Sequence, residues 1–576
     1  MEHARSITMD GVDTIEVDLT AGGALPPGLL RRLDHHAAET IVPFNEMIAR
    51  LSIGYEHNID WWVSRPASRN TFVGDLFNRC TQILLIQDLL CEHRVVRVRT
   101  DDAALAAVLR SLQDTKLEIT ISARRRRKQL VLQHLWDISS SIFHCAAASV
   151  AARLTRPRAC TASAKIAIDV FVSRDDFSEG AFRDRYFPGL LGWLGPQHKH
   201  AICYVPMFYR IRNYWTLFRN IRRSPTHFLV PQDHLKWADY AFAFGHWWRV
   251  RRLLWLDVEF TGLHLAPLIR AELECGRFAQ SSIAALLAYR FWSRIGKVAP
   301  ELTDVIDWYE GQAIDHATAA ALNWTKVSTR LTGFLPPCSK LELSVTPAKH
   351  EVAAGVVPST MAVVGRGFRR NLASEIPELR TIVAPGLRHQ QLSSFSSRRD
   401  EARATILAAF PLQPPLATRM GQIAIECMAA HPSSARRWLL KRHPAMPQSE
   451  LDRLLLGTLP AGAELIDGSF YDWLPHASVV IGTESSALLE AIAVGVPALC
   501  VAMGNIPTKI PFPDWADRTL WRVCYDADEI NNCIDDLLAQ KDDRKDAGQL
   551  LNDLLSPATA DSIAELLHFS RGPEKV

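Results

Sequence analysis

No run of about 18 uninterrupted apolar residues occurs in the chain, so the sequence offers no segment of membrane-spanning length. The opening stretch, MEHARSITMDGVDTIEVDL, carries acids and has no apolar core of signal-peptide length, which predicts a cytoplasmic protein. CxxC pairs are missing as well. The 11 cysteines are odd in number and scattered, which argues against a disulfide framework and a structural zinc site and predicts reduced, buried small hydrophobes. Internal repeats, low-complexity tracts, HExxH, a P-loop and a GxGxxG in a strand-to-helix setting are all lacking. The literal DxD, Asp526-Ala527-Asp528, precedes EINNCIDDLL and reads as an acid-rich helix start, so no metal or cofactor is expected. Net charge is only +3, poor electrostatic support for nucleic acid as a partner.

What the chain does have is size and alternation. At 576 residues and 64.5 kDa it exceeds one core and predicts two or three domains. With 48% hydrophobic and 22% charged residues it has a soluble globular composition. From about Arg403 strand-like segments (RATILAAFPL, RRWLLKRHP, AELIDG, SVVIG, PALCVA) alternate with helical ones (GQIAIECMAA, FYDWLPHA, SSALLEAIAVG, ADEINNCIDDLLAQ). Such alternation implies a parallel sheet covered on both faces. A looser series precedes it, with strands at KIAIDVFVS, KHAICYVPM, THFLVPQ, DVIDWYEG, TMAVVG and LRTIVAPG. Upstream, TIEVDL, RVVRVRT and LEITIS are strand-like around a helical zone, LFNRCTQILLIQDLL. The expected fold is α/β. It has an additional N-terminal α/β module over 1–160 and two Rossmann-like domains, 161–350 and 351–576, facing a cleft. The helix LVLQHLWDISSSIFHCAAASVAARL is expected to be buried, with a membrane-lying helix as the alternative.

The chemistry-bearing residues fall at strand ends. In GTESSALLEA an apolar run ends at Gly482, where the backbone has room for a ligand, and Ser485 and Ser486 open the next helix, a ready position for an anion such as phosphate. Helix capping by Ser485 is the plainer reading. About forty residues earlier, WLLKRHP ends a strand in Lys441-Arg442-His443-Pro444, with the proline holding the histidine backbone extended.

His443-Pro444 and Ser485-Ser486 resemble the "HP" and "SS" motifs of GT-B glycosyltransferases that use CMP-activated sugars, the bacterial sialyltransferases and Kdo transferases. That family also carries an acid-glycine motif at a strand end of its N-terminal domain, and Glu310-Gly311 in VIDWYEGQAIDHA resembles it. The ordered trio spans roughly Lys165 to Gln540. Tyr309 stands where many members have a second acid.

The resemblance implies a metal-independent transferase acting from a CMP-Kdo or CMP-nonulosonic donor to a surface glycan. Domain 161–350 then faces the acceptor and 351–576 the nucleotide. Glu310 is the implied base, His443, Ser485 and Ser486 stabilise the leaving phosphate, and Lys441 or Arg442 adds positive charge. Asp257 and Glu259, which also follow an apolar run, are rivals for the base. Glu490 followed by GVP resembles the broader GT-B pattern, in which a helix glutamate holds the donor ribose; a solvent-facing helix residue is the alternative.

Two further stretches, HNIDWWVSRPASRN and FRDRYFPGLLGWL, resemble segments of bacterial surface-carbohydrate proteins, and Trp61, Trp62, Arg65 and Asn70 form a candidate sugar contact. Arg interleaved with aromatics over Met207–Pro225 and His246–Leu256 suits a peripheral contact with anionic lipid, or an ordinary amphipathic helix. Arg124–Lys128 reads as a solvated helix face. Two other functions fit the same residues: a GT-B transferase with a UDP- or GDP-sugar donor, and a silent carbohydrate-binding scaffold.

Overall fold

The computed structural model describes residues 13–569, apart from 123–125, 156–163, 179, 209–210, 326, 399–402, 432–435, 444–445, 447–458, 460–461 and 540–546. Three parallel sheets follow one another along the chain. The first is small, with strands β1 (Thr14–Asp18), β2 (Val95–Thr100) and β3 (Leu117–Ile121) in that order. In β2, Val96 and Val98 are buried while Arg97 and Arg99 point outward, the alternation of a sheet covered on one face.

The second sheet begins at β4 (Ile166–Val172), followed by a small hairpin, β5 (Phe177–Ser178) and β6 (Ala181–Phe182), and by β7 (Ile202–Phe208). Another small hairpin, β8 (Glu259–Phe260) and β9 (Leu263–His264), precedes β10 (Asp304–Trp308), β11 (Arg330–Leu335), β12 (Thr360–Val364) and β13 (Arg380–Ala384). The spatial order is β13-β12-β11-β10-β4-β7, all parallel. Its central strands are buried on both faces, which is why they read as continuous apolar runs.

The third sheet contains β14 (Ala404–Ala409), β15 (Arg436–Lys441), β16 (Ala463–Ile466), β17 (Val479–Gly482), β18 (Ala498–Val501) and β19 (Trp521–Cys524). They lie in the order β16-β15-β14-β17-β18-β19, again all parallel. Both larger sheets are therefore doubly wound, and each reverses direction next to its first strand: between β4 and β10 in one, between β14 and β17 in the other. Ligands of open α/β sheets bind at the carboxyl ends of strands at such reversals.

Several expectations need correcting. The domain boundary at 350 falls inside the second sheet, because β12 and β13 pair with β11 and close that domain's edge. The C-terminal helices cross back to the second sheet's domain: Ala547–Leu555 packs on both Arg366–Glu375 and the third domain's helix Ser486–Ala493, and Ala560–Leu566 packs on β13. Ser556 there accepts a hydrogen bond from the Gly386 N–H at 2.8 Å. THFLVPQ forms only an isolated bridge, Phe228 to Tyr204, while RLTGFL and WRVC, not foreseen, supply β11 and β19. The helix Arg126–Leu154 does not bury its apolar side: Leu132, Trp136 and Phe143 are exposed. The side chains of Arg124–Lys128 lie outside the described residues.

The N-terminal module grips both larger domains. Arg69 donates to Glu351 through Nε at 3.0 Å and Nη2 at 2.7 Å, both side chains being fully buried. On the other side, Asn505 Nδ2 donates to the carbonyls of Asp18 at 3.1 Å and Thr20 at 2.8 Å. Asp34 accepts the Thr508 N–H at 2.7 Å and the Tyr525 hydroxyl at 3.0 Å. The described cysteines form no disulfide, and Cys80, Cys427, Cys500 and Cys524 are buried. No helix among the described residues is long and apolar enough to cross a membrane.

Candidate active site in the interdomain cleft

Glu310 follows β10 by two residues, beside the reversal of the second sheet. Its carboxylate is held at both oxygens: Trp308 Nε1 donates to Oε1 at 2.8 Å and Gln312 Nε2 to Oε2 at 2.6 Å. Asp315 fixes the loop itself, with Oδ2 accepting the backbone N–H groups of Glu310 at 3.0 Å and Gln312 at 2.9 Å. Gly311 lets the chain turn here at φ +62°, where an added Cβ would stand 1.7 Å from the Ser344 carbonyl oxygen. Only glycine fits that approach.

Beneath this loop lie three acids that sequence reasoning missed. Asp307 on β10 is in register with Asp169 on β4, and Asp315 opens the helix Ala313–Trp324. Burial, then the neighbouring Asp315, pushes the Asp169 carboxyl well above the usual carboxylate range; burial and Asp169 do the same to Asp307. Burial, then Asp307, raises Asp315. In each of the three, burial and a neighbouring carboxyl both disfavour the ionised form. For Asp169 and Asp307 the signal in the sequence is an acid inside a strand buried on both faces.

In the third sheet, Ala409 at the end of β14 pairs with Lys441 on one side and Gly482 on the other. Lys441 and Gly482 thus stand about 10 Å apart, two strand spacings. Both motif pairs therefore leave the same sheet end, His443 after β15 and Ser485-Ser486 after β17. His443 is half-buried, and burial followed by Lys441 lowers its basicity; Pro444 lies outside the described residues. Lys441 is buried, its ammonium 3.4 Å from the Arg442 carbonyl oxygen, and Arg442 donates to the Met446 carbonyl at 2.8 Å. Ser485 caps the helix Ser486–Ala493, accepting the Ala487 N–H at 3.3 Å, while Ser486 is exposed.

A pocket joins the two domains. Trp308 and Phe334 line it from the second sheet, Arg388 and His389 from the segment after β13, and Ser486 and Glu490 from the helix after β17. His443 is outside this lining. Glu490 is buried, not solvent-facing, and burial pushes its carboxyl up to about 7 against the opposing pull of Tyr471, Arg388 and Ser486. His389 Nδ1 lies 3.6 Å from Glu490 Oε1, and this buried nitrogen has no hydrogen-bond partner. Burial, then Arg388, lowers the His389 imidazole to about 4, so the contact is polar rather than an ion pair at neutral pH. The Arg388 guanidinium stands 5.6 Å from the ring of Trp308, which holds Glu310, and its charge also acts on Glu490 across the pocket. Tyr186, from FRDRYFPGLLGWL, supports Trp308 at 4.8 Å between ring centroids.

A second cluster sits where the three modules meet. Lys509 is buried, its ammonium 3.4 Å from the Thr71 carbonyl oxygen and 3.3 Å from the Phe72 ring centre. It faces Glu484, at φ +36° in the loop before Ser485, and Glu342, whose carboxyl burial pushes up to about 7. No motif announced Lys509, Glu342, Arg388 or His389; they follow strand ends without a recognisable pattern.

Other sequence candidates lie elsewhere. Asp257 and Glu259 are exposed; Asp257 accepts the Ala266 N–H at 2.8 Å and contacts His264 at 2.8 Å, capping a helix rather than facing the cleft. Asp526 accepts the Glu529 N–H at 2.9 Å, the helix start expected of the DxD. Trp61 and Trp62 are fully buried, so the sugar contact expected of that group is replaced by core packing, and Asn70 accepts the Phe72 N–H at 2.9 Å.

Two doubly wound domains with facing carboxyl ends and a pocket between them define the GT-B architecture, the scaffold of a large class of glycosyltransferases. No family model and no curated protein matches the chain. Among solved structures, UDP-GlcNAc 2-epimerase from Neisseria meningitidis bound to UDP-GlcNAc is similar at 11% identity and TM-score 0.38, over 70% of this chain and 98% of that one. MnaA of S. aureus with UDP is similar at 9% identity and TM-score 0.39, over 72% and 100%. MurG of Acinetobacter baumannii is similar at 10% identity and TM-score 0.35, over 71% and 96%.

Proposed function

We propose that the chain is a glycosyltransferase that takes its sugar from a nucleotide donor. The donor's ribose sits against Glu490 and its phosphate lies at the start of the helix Ser486–Ala493. The observation that carries this reading is the meeting of buried Glu490 with the unpaired His389 Nδ1 in a pocket walled by both domains. A carboxylate there accepts hydrogen bonds from ribose hydroxyls, and the imidazole has an unused position for the same ligand. Glu310 takes the proton from the acceptor hydroxyl. The acceptor oxygen then bonds to the anomeric carbon as the bond to the donor phosphate breaks, and the phosphate leaves with the electron pair.

Buried Glu490 on the helix followed by Gly495-Val496-Pro497 supports a nucleoside diphosphate sugar, UDP- or GDP-linked, as the donor. The second reading is a CMP-linked Kdo or nonulosonic sugar. It is supported by His443 and Ser485-Ser486 leaving the same end of the third sheet, where they would stabilise the departing phosphate together with Lys441 or Arg442. On either reading the acceptor is a surface glycan on a lipid carrier, reached from the cytoplasmic face of the membrane, and the chemistry needs no resident metal.

Thermal shift with UDP, GDP and CMP decides the donor: stabilisation by CMP alone would displace the diphosphate reading. Glu310→Gln should lower transfer about a hundredfold or more with nucleotide binding kept. Normal turnover in that variant removes Glu310 from the mechanism, and nucleotide binding without any turnover in the unsubstituted protein points to a silent scaffold.

A further inference from the structure

The helix Arg126–Leu154 presents its amphipathic faces the wrong way round for a buried helix. Toward the protein it turns Ser141, Ala148, Ala151 and Ala152, all buried, with His144 3.1 Å from the Tyr214 hydroxyl and Ser149 donating to Tyr240 at 2.6 Å. Toward solvent it turns Leu132, Leu135, Trp136, Ile142, Phe143 and Val150, each 49–72% exposed. Their spacing of three, four and seven residues makes one stripe roughly 27 Å long at 1.5 Å per residue. An apolar stripe of that length left in water signals an interaction surface.

The neighbourhood says what covers it. On the adjacent helix Trp237–Arg249, Trp237 and Trp248 are 74% and 70% exposed. Eleven residues apart, they share one face at 3.6 residues per turn. The Arg153 guanidinium, 5.3 Å from the Trp237 ring, joins the end of the stripe to that face. Arg251 lies 4.1 Å from the Trp248 ring, and Trp255, 81% exposed, has Arg270 at 5.4 Å. Between Trp248 and Leu256 the sequence holds two exposed arginines, Arg251 and Arg252, and no acid. The helix Tyr214–Arg223, packed on the stripe's own helix, exposes Arg219 and Arg223 and carries no acid, with Trp215 44% exposed; its Arg222 is held inward by Asp233 at 2.6 Å. Asp137 is the one acid among residues 131–154.

We infer that this face docks on an anionic bilayer. The leucine, tryptophan and phenylalanine side chains enter the acyl boundary, the flanking indoles lie at headgroup level and the arginines meet lipid phosphates. Docking a second copy on the same face would oppose arginines to arginines, which disfavours self-association. The inference rests on the lipid-carrier reading above for its purpose, but vesicle binding is measured independently of any donor.

The test is co-sedimentation of the full chain with vesicles of phosphatidylcholine, alone or mixed with phosphatidylglycerol. The protein is expected to sediment with the mixed vesicles and to be released as salt rises. Trp136→Ser with Phe143→Ser should lower partitioning about tenfold or more, since two large apolar side chains no longer leave water. Arg251→Ala with Arg252→Ala should weaken binding to the mixed vesicles and flatten its salt dependence. All four side chains are exposed, so thermal unfolding and nucleotide-induced shifts should match the unsubstituted protein. Absence of sedimentation by the unsubstituted chain overturns the inference. So does equal sedimentation of the Trp136/Phe143 variant, or a dimer in solution that this variant dissociates. Failure of nucleotides to shift the unsubstituted protein counts against the donor reading alone.

Discussion

At the scale of single residues, Glu490 connects burial to function through its proton. The ordinary value is 4.5 and burial pushes it up to about 7, so between those values the folded chain holds a proton that the unfolded chain has released. Stability of the empty protein contributed by this group is therefore full below about 4.5 and is lost as pH climbs through about 7. A ribose donating hydrogen bonds favours the ionised carboxylate, so nucleotide affinity is expected to rise with pH across neutrality. Glu490→Gln should flatten both profiles, which calorimetry at several pH values measures directly. At Glu310 two side-chain donors hold the carboxyl oxygens, while Asp315 beneath it shapes the loop by accepting the Glu310 and Gln312 N–H groups.

At the scale of elements, the turn after β10 depends on Gly311. A methyl group there overlaps the Ser344 carbonyl and the backbone is left-handed, so Gly311→Ala is expected to cost about 2–4 kcal/mol and to displace Glu310. Chemical denaturation and transfer assays should fall together in this variant. Elements of this kind were legible from sequence where burial on both faces writes an unbroken apolar run, as in IAIDVFV and SVVIG. They were not legible where a strand is interrupted or short: Gly333 splits RLTGFL, and WRVC has only four residues.

The helix over 126–154 shows a different limit. Periodicity establishes that one side is apolar but not which side the rest of the protein covers, and its inward face turned out to be alanine, serine and histidine. The candidate site was legible in part for a related reason. Glu310, Ser486 and Glu490 belong to recognisable strand-end patterns. Arg388 and His389 reach the pocket of Ser486 and Glu490 from the segment after β13, and only tertiary structure brings them there. The boundary expected at 350 failed because strand and helix keep alternating through 384.

At the scale of the whole molecule, Arg69 ties the N-terminal module to the second sheet's domain. Burial would raise the Glu351 carboxyl, but Arg69, then His316 and His350, hold it below its ordinary value. Its contribution is thus present above an ordinary glutamate value and lost as pH falls through the lowered one. Arg69→Met leaves that carboxylate uncompensated and is expected to cost about 3–5 kcal/mol, read as a lower thermal midpoint near neutral pH.

The same module reaches the third sheet's domain through Asn505, Thr508 and Tyr525. The two lobes are thus not joined by the connecting chain alone; a third body is bolted to each like a bracket across a door frame. Wide swinging of one lobe against the other has to break one set of those bolts, so on the proposed reading donor and acceptor are expected to come and go by small local adjustments of the segments bordering the pocket.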